Sequence, residues 1–319
     1  MATSKRESFF SVSIAGFLFW LLAVVIALKF GSVDQADTHL MIQLRLPRVI
    51  LASAVGMGLA VSGAALQALF TNALCEPYTL GISSGSALGA VIGASLGLQW
   101  SVAGIALPSF AGALLFMGVL YLISLKPGSS STTVLLAGVM LGFLGSSLVA
   151  LWMALSDANG IQGALFWLLG DLSRARLNGA IFSLALVLVF VFFIWRRWRE
   201  LDALLMGEEG ALALGVAVPK IRREVILLTS LLIALCVSGA GMIGFVGLIV
   251  PHFVRSLSGS LHRRLLPLTA VFGAGALVYS DVIARVVARP YELPVGVITA
   301  LIGAPMFLFI MLRKGSSST

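Results

Sequence analysis

Nine apolar runs dominate the chain, at about 9–28, 49–70, 81–98, 102–123, 133–155, 179–195, 225–250, 265–284 and 294–312. Most are close to the roughly 20 residues that a helix needs to cross the hydrocarbon core of a bilayer. Composition agrees: 59% of the 319 residues are hydrophobic, 11% are charged, and the mean hydropathy is +1.06. Soluble domains do not have this composition, whereas a bundle of membrane helices does. The formal net charge of +8 does not indicate nucleic acid, because the bases sit in short clusters between the apolar runs. Lys5 and Arg6 precede a run to Leu28 that is long for a signal peptide and lacks a clear small-residue cleavage site, so it is the first span. The expectation is an all-α integral membrane protein, a single transmembrane domain over 1–319 with a disordered Gly/Ser tail at about 315–319.

Basic clusters orient the spans. Lys5 and Arg6 place the N-terminus inside, and alternation then puts the polar stretch at about 196–223 inside as well. The run 225–250 has basic clusters on both flanks, Arg222 and Arg223 before it and Arg255, Arg263 and Arg264 after it. It is too short for two full spans, and Gly239, Gly241, Gly244 and Gly247 interrupt it before Pro251. A full span followed by a short return helix through Val254 fits, with the irregular backbone sheltered by neighbouring helices. That gives about ten transmembrane helices with both termini inside, and fourteen of the 21 Lys and Arg on the inner side.

The stretch 196–223 carries two short helical patterns. Leu201, Leu204 and Leu205 mark one face of the first, and Gly207 breaks it. Glu208 and Glu209 open the second, where acids suit the positive N-terminal end of a helix. Leu212 and Leu214 follow, Gly215 is a C-cap, and Pro219 stops continuation. The pattern fits either an ordinary loop with two surface helices or a docking element for a cytoplasmic partner. Gly81, Gly85, Gly89, Gly93 and Gly97 recur every four residues, which suits tight helix packing within one subunit or a pore wall.

No Walker A, HExxH or CxxC pattern of soluble catalysis occurs. Cys75 and Cys236 imply neither a disulfide framework nor a metal site. Asp281 is the best candidate for a proton relay, yet Arg285 follows at the i+4 position favourable for an ion pair. Arg45, Arg48, Arg285 and Arg289 lie on the outer side, against the orientation rule. They either snorkel to headgroups or receive acidic residues of an external partner.

The run LRLPRVILASAVGMGLAVSGAALQALFTNALCEP (44–77) resembles the second-span region of FecCD-type permeases, membrane subunits of ABC importers for ferric siderophores, haem and vitamin B12. The stretches 241–267, 291–314 and GEEGALALGV (207–216) resemble further motifs of that family, in order, over essentially the whole chain. The resemblance implies a vitamin B12 permease-like (type II importer) fold in the bacterial inner membrane, working as a pair, a homodimer for one kind of subunit. Its partners would be two cytoplasmic ATPases, which hold the ATP and Mg, and one periplasmic binding protein. No cofactor or metal is bound by the permease itself. Residue by residue, it implies binding-protein docking at Arg45, Arg48 and Arg285, and a cytoplasmic gate at Asn72, Leu74, Ser131 and Thr132. ATPase coupling would fall to Leu204, Leu205, Gly207, Glu208, Glu209, Leu212 and Gly215. Ala73 and Cys75 depart from the family's usual proline and alanine, and losing that proline should loosen the gate loop. The pore would be lined by the uncharged spans 133–155 and 294–312, and the expected cargo is a bulky metal chelate, a ferric siderophore or haem, with vitamin B12 as the alternative. An ion-coupled secondary transporter using Asp281 is the competing class.

Overall fold

A computed structural model describes residues 2–31, 41–98, 102–156, 164–165 and 167–315. Among them the chain forms twelve α-helices: α1 (Ala2–Lys29), α2 (Leu46–Leu69), α3 (Ile82–Ser95), α4 (Val102–Leu125), α5 (Ser131–Leu155), α6 (Leu177–Trp195), α7 (Trp198–Leu204), α8 (Gly207–Ala213), α9 (Val218–Ala240), α10 (Val246–Ser258), α11 (His262–Val286) and α12 (Val295–Gly315). A π-turn at Met41–Arg45 leads into α2 and a 3₁₀ turn at Pro77–Leu80 leads into α3. Seven helices are long and apolar enough to cross a membrane, and the apolar cores of α3, α10 and α12 are shorter. Together they make ten apolar helices, consistent with the about ten crossings expected. The short α7 and α8 are the interruption between the sixth and seventh.

The bundle is built around α2. Its sequence is apolar all round and rich in Gly, Ala and Ser, so it has no face suited to lipid, and it is buried along nearly its whole length. Small residues let neighbours approach its backbone. A Cβ on Gly56 would lie 2.2 Å from the carbonyl oxygen of Gly273 in α11, and one on Gly63 would lie 1.9 Å from that of Gly247 in α10. The glycine stripe of α3 serves the same end against α4: a Cβ on Gly89 would stand 2.0 Å from the Pro108 carbonyl oxygen, and Gly112 meets the Gly85 carbonyl. Packing within the subunit therefore accounts for Gly85, Gly89 and Gly93. Gly97 lies beyond the end of α3, with φ +72° and open space around it, and does not extend the stripe.

The run 225–250 does break in two. α9 ends at Ala240, residues 241–245 are non-helical, and α10 returns as far as Ser258, four residues past the expected end. Gly241 has φ +70° and lies so close to the Trp167 carbonyl oxygen that a Cβ would stand 2.1 Å from it. The Asp171 N–H donates to the Ala240 carbonyl at 2.9 Å, and Gly296 N–H donates to the Leu169 carbonyl at 3.0 Å. The segment around 167–171 thus satisfies the freed backbone groups at the ends of α9 and α12, as a break at membrane depth requires. Pro219 lies beyond the end of α8, as expected, and has a second role. It sits in the first turn of α9, where its missing N–H has no helical partner to lose. The seventh span therefore starts at Val218, and Arg222 belongs to a helix rather than to a flanking loop. At the other end of the chain α12 runs through Gly315, and residues 316–319 of the expected tail lie outside the described residues.

Candidate functional site

The residues singled out in the sequence gather at the two ends of the bundle. Between His262 and Asp281, α11 rises about 28 Å at 1.5 Å per residue, and these two residues mark the two ends.

At the Asp281 end lie the four arginines expected on the outer side. Arg48 Nε donates to Asp281 Oδ1 at 2.8 Å, and Arg48 Nη1 donates to Glu292 Oε2 at 2.7 Å. Arg285 Nη2 stands 3.0 Å from Asp281 Oδ2, an ion pair without the alignment of a hydrogen bond. Arg45 Nη1 donates to the carbonyls of Leu28 and Lys29 at 2.8 and 3.0 Å, and Arg289 Nη2 donates to that of Gly31. Asp281 is 1% exposed, so a single buried carboxylate joins two guanidiniums from different helices. Arg45, Arg48 and Arg285 are themselves buried and do not snorkel outwards. Among the described residues the cluster holds four arginines and two carboxylates, Asp281 and Glu292. Asp281 is engaged as a structural brace, which removes the secondary-transporter class's best relay residue.

At the opposite end, three segments meet. The first is the turn after α2. Asn72 Oδ1 accepts from the Leu74 N–H at 2.9 Å, and the Cys75 N–H donates to the Asn72 carbonyl at 3.1 Å, a side-chain-closed turn that leaves Leu74 half exposed. Buried Gln67 pins the turn to the broken helix: its Nε2 donates to the Cys75 carbonyl at 3.2 Å and to the Gly247 and Leu248 carbonyls at 3.4 Å, while Arg255 Nη1 donates to its Oε1. These hydrogen bonds hold the loop in which Ala73 stands instead of proline. Burial pushes the Cys75 thiol up to about 11, so the residue is an unreactive, space-filling thiol. Gln67 was not singled out in the sequence, where it is one amide inside an apolar run.

The second segment is the start of α5, and the third is the α7–α8 platform. Ser130 caps α5, accepting from the Thr133 N–H at 3.1 Å, and Thr132 is exposed. Ser131 is buried and donates to Glu208 Oε1 twice, from N–H at 3.1 Å and from Oγ at 2.5 Å. Arg222 completes the group, with Nη2 donating to Glu208 Oε1 at 2.6 Å, Nε to Ser131 Oγ at 3.1 Å, and Nη1 to the Ser129 carbonyl. Burial alone would raise the Glu208 pKa, but the Ser131 hydrogen bonds and the Arg222 charge outweigh it and hold the carboxyl below the ordinary carboxylate value.

Within the platform, Leu201 and Leu204 are buried, whereas Leu205, Met206, Leu212 and Leu214 are exposed. Leu204 therefore supports the platform from beneath, and the outward apolar strip includes Met206, which the sequence reading passed over. Gly207 separates the two helices with φ +84°, and Gly215 closes α8 with φ +80° and an N–H donated to the Leu212 carbonyl. Glu209 is exposed. Asp202 fastens α7 to α11 by accepting from both the N–H and the ring nitrogen of His262, at 2.8 and 2.7 Å.

Ten crossings about a buried central helix, a broken helix and a short two-helix platform define a multi-pass permease of the ABC-importer class. The chain belongs to the FecCD transport family, whose profile matches residues 8–313. It is 42% identical over 289 residues to the uncharacterized ABC transporter permease YvrB of Bacillus subtilis, covering 89% of this chain and 82% of that protein. It is 39% identical to the vitamin B12 import permease BtuC of Vibrio vulnificus (93% and 90% covered) and 36% identical to the hemin transport permease HmuU of Yersinia pestis (89% and 86%). Among solved structures, an inward-facing metal-chelate type ABC transporter superposes with a TM-score of 0.85 at 32% identity, over 97% of this chain and 99% of that one.

Proposed function

We propose that the chain is the membrane half of a homodimeric importer in the bacterial inner membrane, with both termini cytoplasmic. It passes a bulky metal chelate, a ferric siderophore or haem, that a periplasmic binding protein delivers. Two cytoplasmic ATPases carry the ATP and Mg, and the permease needs no cofactor of its own. The observation that carries this reading is the strip Leu205, Met206, Leu212 and Leu214, four large apolar side chains exposed on a polar segment outside the spans. Such a strip suits burial against another protein. The arginine-rich cluster at the other end suits acidic residues of the binding protein, once Glu292 gives way. Asn72, Leu74, Ser131 and Thr132 stand where a cytoplasmic gate would close. α5 and α12 leave broad uncharged faces exposed, through Leu136, Met140, Phe143 and Leu144 on one and Leu301, Leu308 and Phe309 on the other. Paired across a two-fold axis they would form a wall that holds a large chelate weakly and leaves selectivity to the binding protein. Vitamin B12 is the alternative cargo, supported by relatives named for its import at 39% and 40% identity.

The test is co-purification in mild detergent with the candidate ATPase, stoichiometry by mass, followed by uptake assays with hemin, a ferric hydroxamate and cyanocobalamin. A two-plus-two complex that imports one of these is expected. A chain that runs alone and moves cargo under a proton gradient would overturn the reading.

A further inference from the structure

Ser131 and Glu208 were singled out for different tasks, one for the gate and one for coupling, and lie far apart in sequence. The fold places them in contact, with Arg222 spanning both. We propose that Arg222 is a positioning residue, the joint that transmits displacement of α8 to the start of α5. The inference rests on the importer reading given above.

Three features support it. First, the bonding is concentrated. All three nitrogens of one guanidinium are used, on Glu208, Ser131 and the Ser129 carbonyl, and a single Glu208 oxygen accepts from Arg222 and twice from Ser131. A planar guanidinium fixes its partners in direction as well as distance, which an ammonium on a flexible stem does not. Second, α8 buries little of itself. Ala211 is its buried residue and it packs mainly beside α7, while Leu212 and Glu209 face outwards, so the Glu208 carboxylate is its charged tie to α5 and α9. α7, by contrast, is fixed by Leu201, Leu204 and the Asp202–His262 pair. Third, the receiving end begins at an open turn. Ser131 is the first residue of α5 and the Ser130 cap ties it to the helix. The preceding turn from α4 contains Gly128 at φ +79°, with nothing within 4 Å of a Cβ placed there. Further along, α5 is packed against the 77–80 turn at Gly138 and against α3 at Gly145, so a pull on Ser131 acts on the first turn of α5 and moves Thr132 with it.

The joint is partly open to water. Arg222 is 3% exposed, but the Glu208 side chain is 39% exposed. The positive half is anchored in the bundle and the negative half rides on the platform, which is the arrangement of a link between a fixed and a moving part.

The experiment uses the complete complex of this chain with its ATPase in lipid nanodiscs. Cys75 and Cys236 are replaced by Ala, and Leu136, exposed one turn into α5, is replaced by Cys and spin-labelled. The distance between labels on the two copies is measured without nucleotide and with ATP and vanadate. The expected result is a distance shift in the parent chain and its loss in Arg222→Met. Arg222→Lys should give a partial shift, and the exchanged pair Glu208→Arg with Arg222→Glu should recover part of it. Arg223→Met serves as the control, because Arg223 donates only within its own helix, to the Pro219 carbonyl, and should keep the full shift. If Arg222→Met does not fold, Ser131→Ala removes one hydroxyl and should still diminish the shift. A full shift in Arg222→Met, or in Ser131→Ala, overturns the joint while leaving the importer reading intact. A parent chain that does not bind the ATPase overturns both.

Discussion

The two ends of the bundle use the same chemistry to different effect. At one end Asp281 is fully enclosed and joins Arg48 to Arg285, two residues on two long helices. At the other, Glu208 is partly in water and joins Arg222 to a short helix with almost no core of its own. Removing two charges from water is costly, and the cost is recovered only where both partners are held in place. Asp281 meets that condition through α2 and α11, which meet closely at Gly56 and Gly273. Glu208 keeps much of its hydration, so its ion pair is weaker and exchanges more readily. The same pair of residue types therefore serves as a brace where both helices are fixed and as a link where one is free.

Four measurements would break or sharpen this contrast. Asp281→Ala has the largest expected effect, because it strips buried Arg285 of its paired carboxylate and leaves Arg48 with Glu292 alone; about 3–5 kcal/mol of stability should be lost. Thermal unfolding of purified protein that matched the parent would show the brace to be dispensable. Where stability is lost, loss of uptake in Asp281→Asn would reflect folding, so stability and transport must be measured on the same sample. Leu204→Ala comes next. Deleting a fully buried leucine side chain costs about 2–5 kcal/mol, and the platform should loosen first, read as faster amide exchange over α7. Unchanged exchange there would return Leu204 to the surface role expected from sequence.

A smaller effect concerns pH. The folded-state pKa of Glu208 is depressed, so its contribution is complete above the ordinary carboxylate value and is lost as pH falls through the lower folded value. With the side chain this exposed, solvent screening limits the contribution to about 1 kcal/mol or less. The stability difference between the parent and Glu208→Gln should be present at neutral pH and vanish in strong acid; a difference that grew on acidification would reverse the assignment. The smallest expected effect is on the outer strip. Leu205→Ser and Met206→Ser should leave stability within about 0.5 kcal/mol of the parent, since both side chains are exposed. Their consequence should appear instead as loss of ATPase from the purified complex.

Much of the architecture was legible because a bilayer demands so little ambiguity of a chain. Run length gave the spans, and the glycines before Pro251 gave the break in the seventh. What the runs could not show is which way each helix faces. Apolar residues surround α2, α4 and α6 on every side, so no periodic stripe marks an inner surface. Burial of α2 follows instead from its small residues, which the glycine spacing only hinted at. The roles of individual charges were hidden for another reason. Arg222 read as one of several orienting bases, and its partners at Ser131 and Glu208 are separated by the whole of α5, α6 and α7. Arg48 likewise read as a surface base, because Asp281 and Glu292 are more than two hundred residues away. That Pro219 also opens α9 was hidden because a proline that follows one helix and a proline that begins the next look alike until the helix is seen.

The backbone contacts of Gly63 with Gly247, and of Gly89 with Pro108, set unequal terms for divergence. Not even one methyl group fits at those crossings, so the frame of α2, α3, α4 and α10 can change only by coordinated replacement. The outward faces of α5 and α12 have no such restriction and tolerate side chains of many sizes. If those two faces line the passage as proposed, a lineage of such chains can acquire new passengers by rewriting two helices while inheriting the others almost untouched.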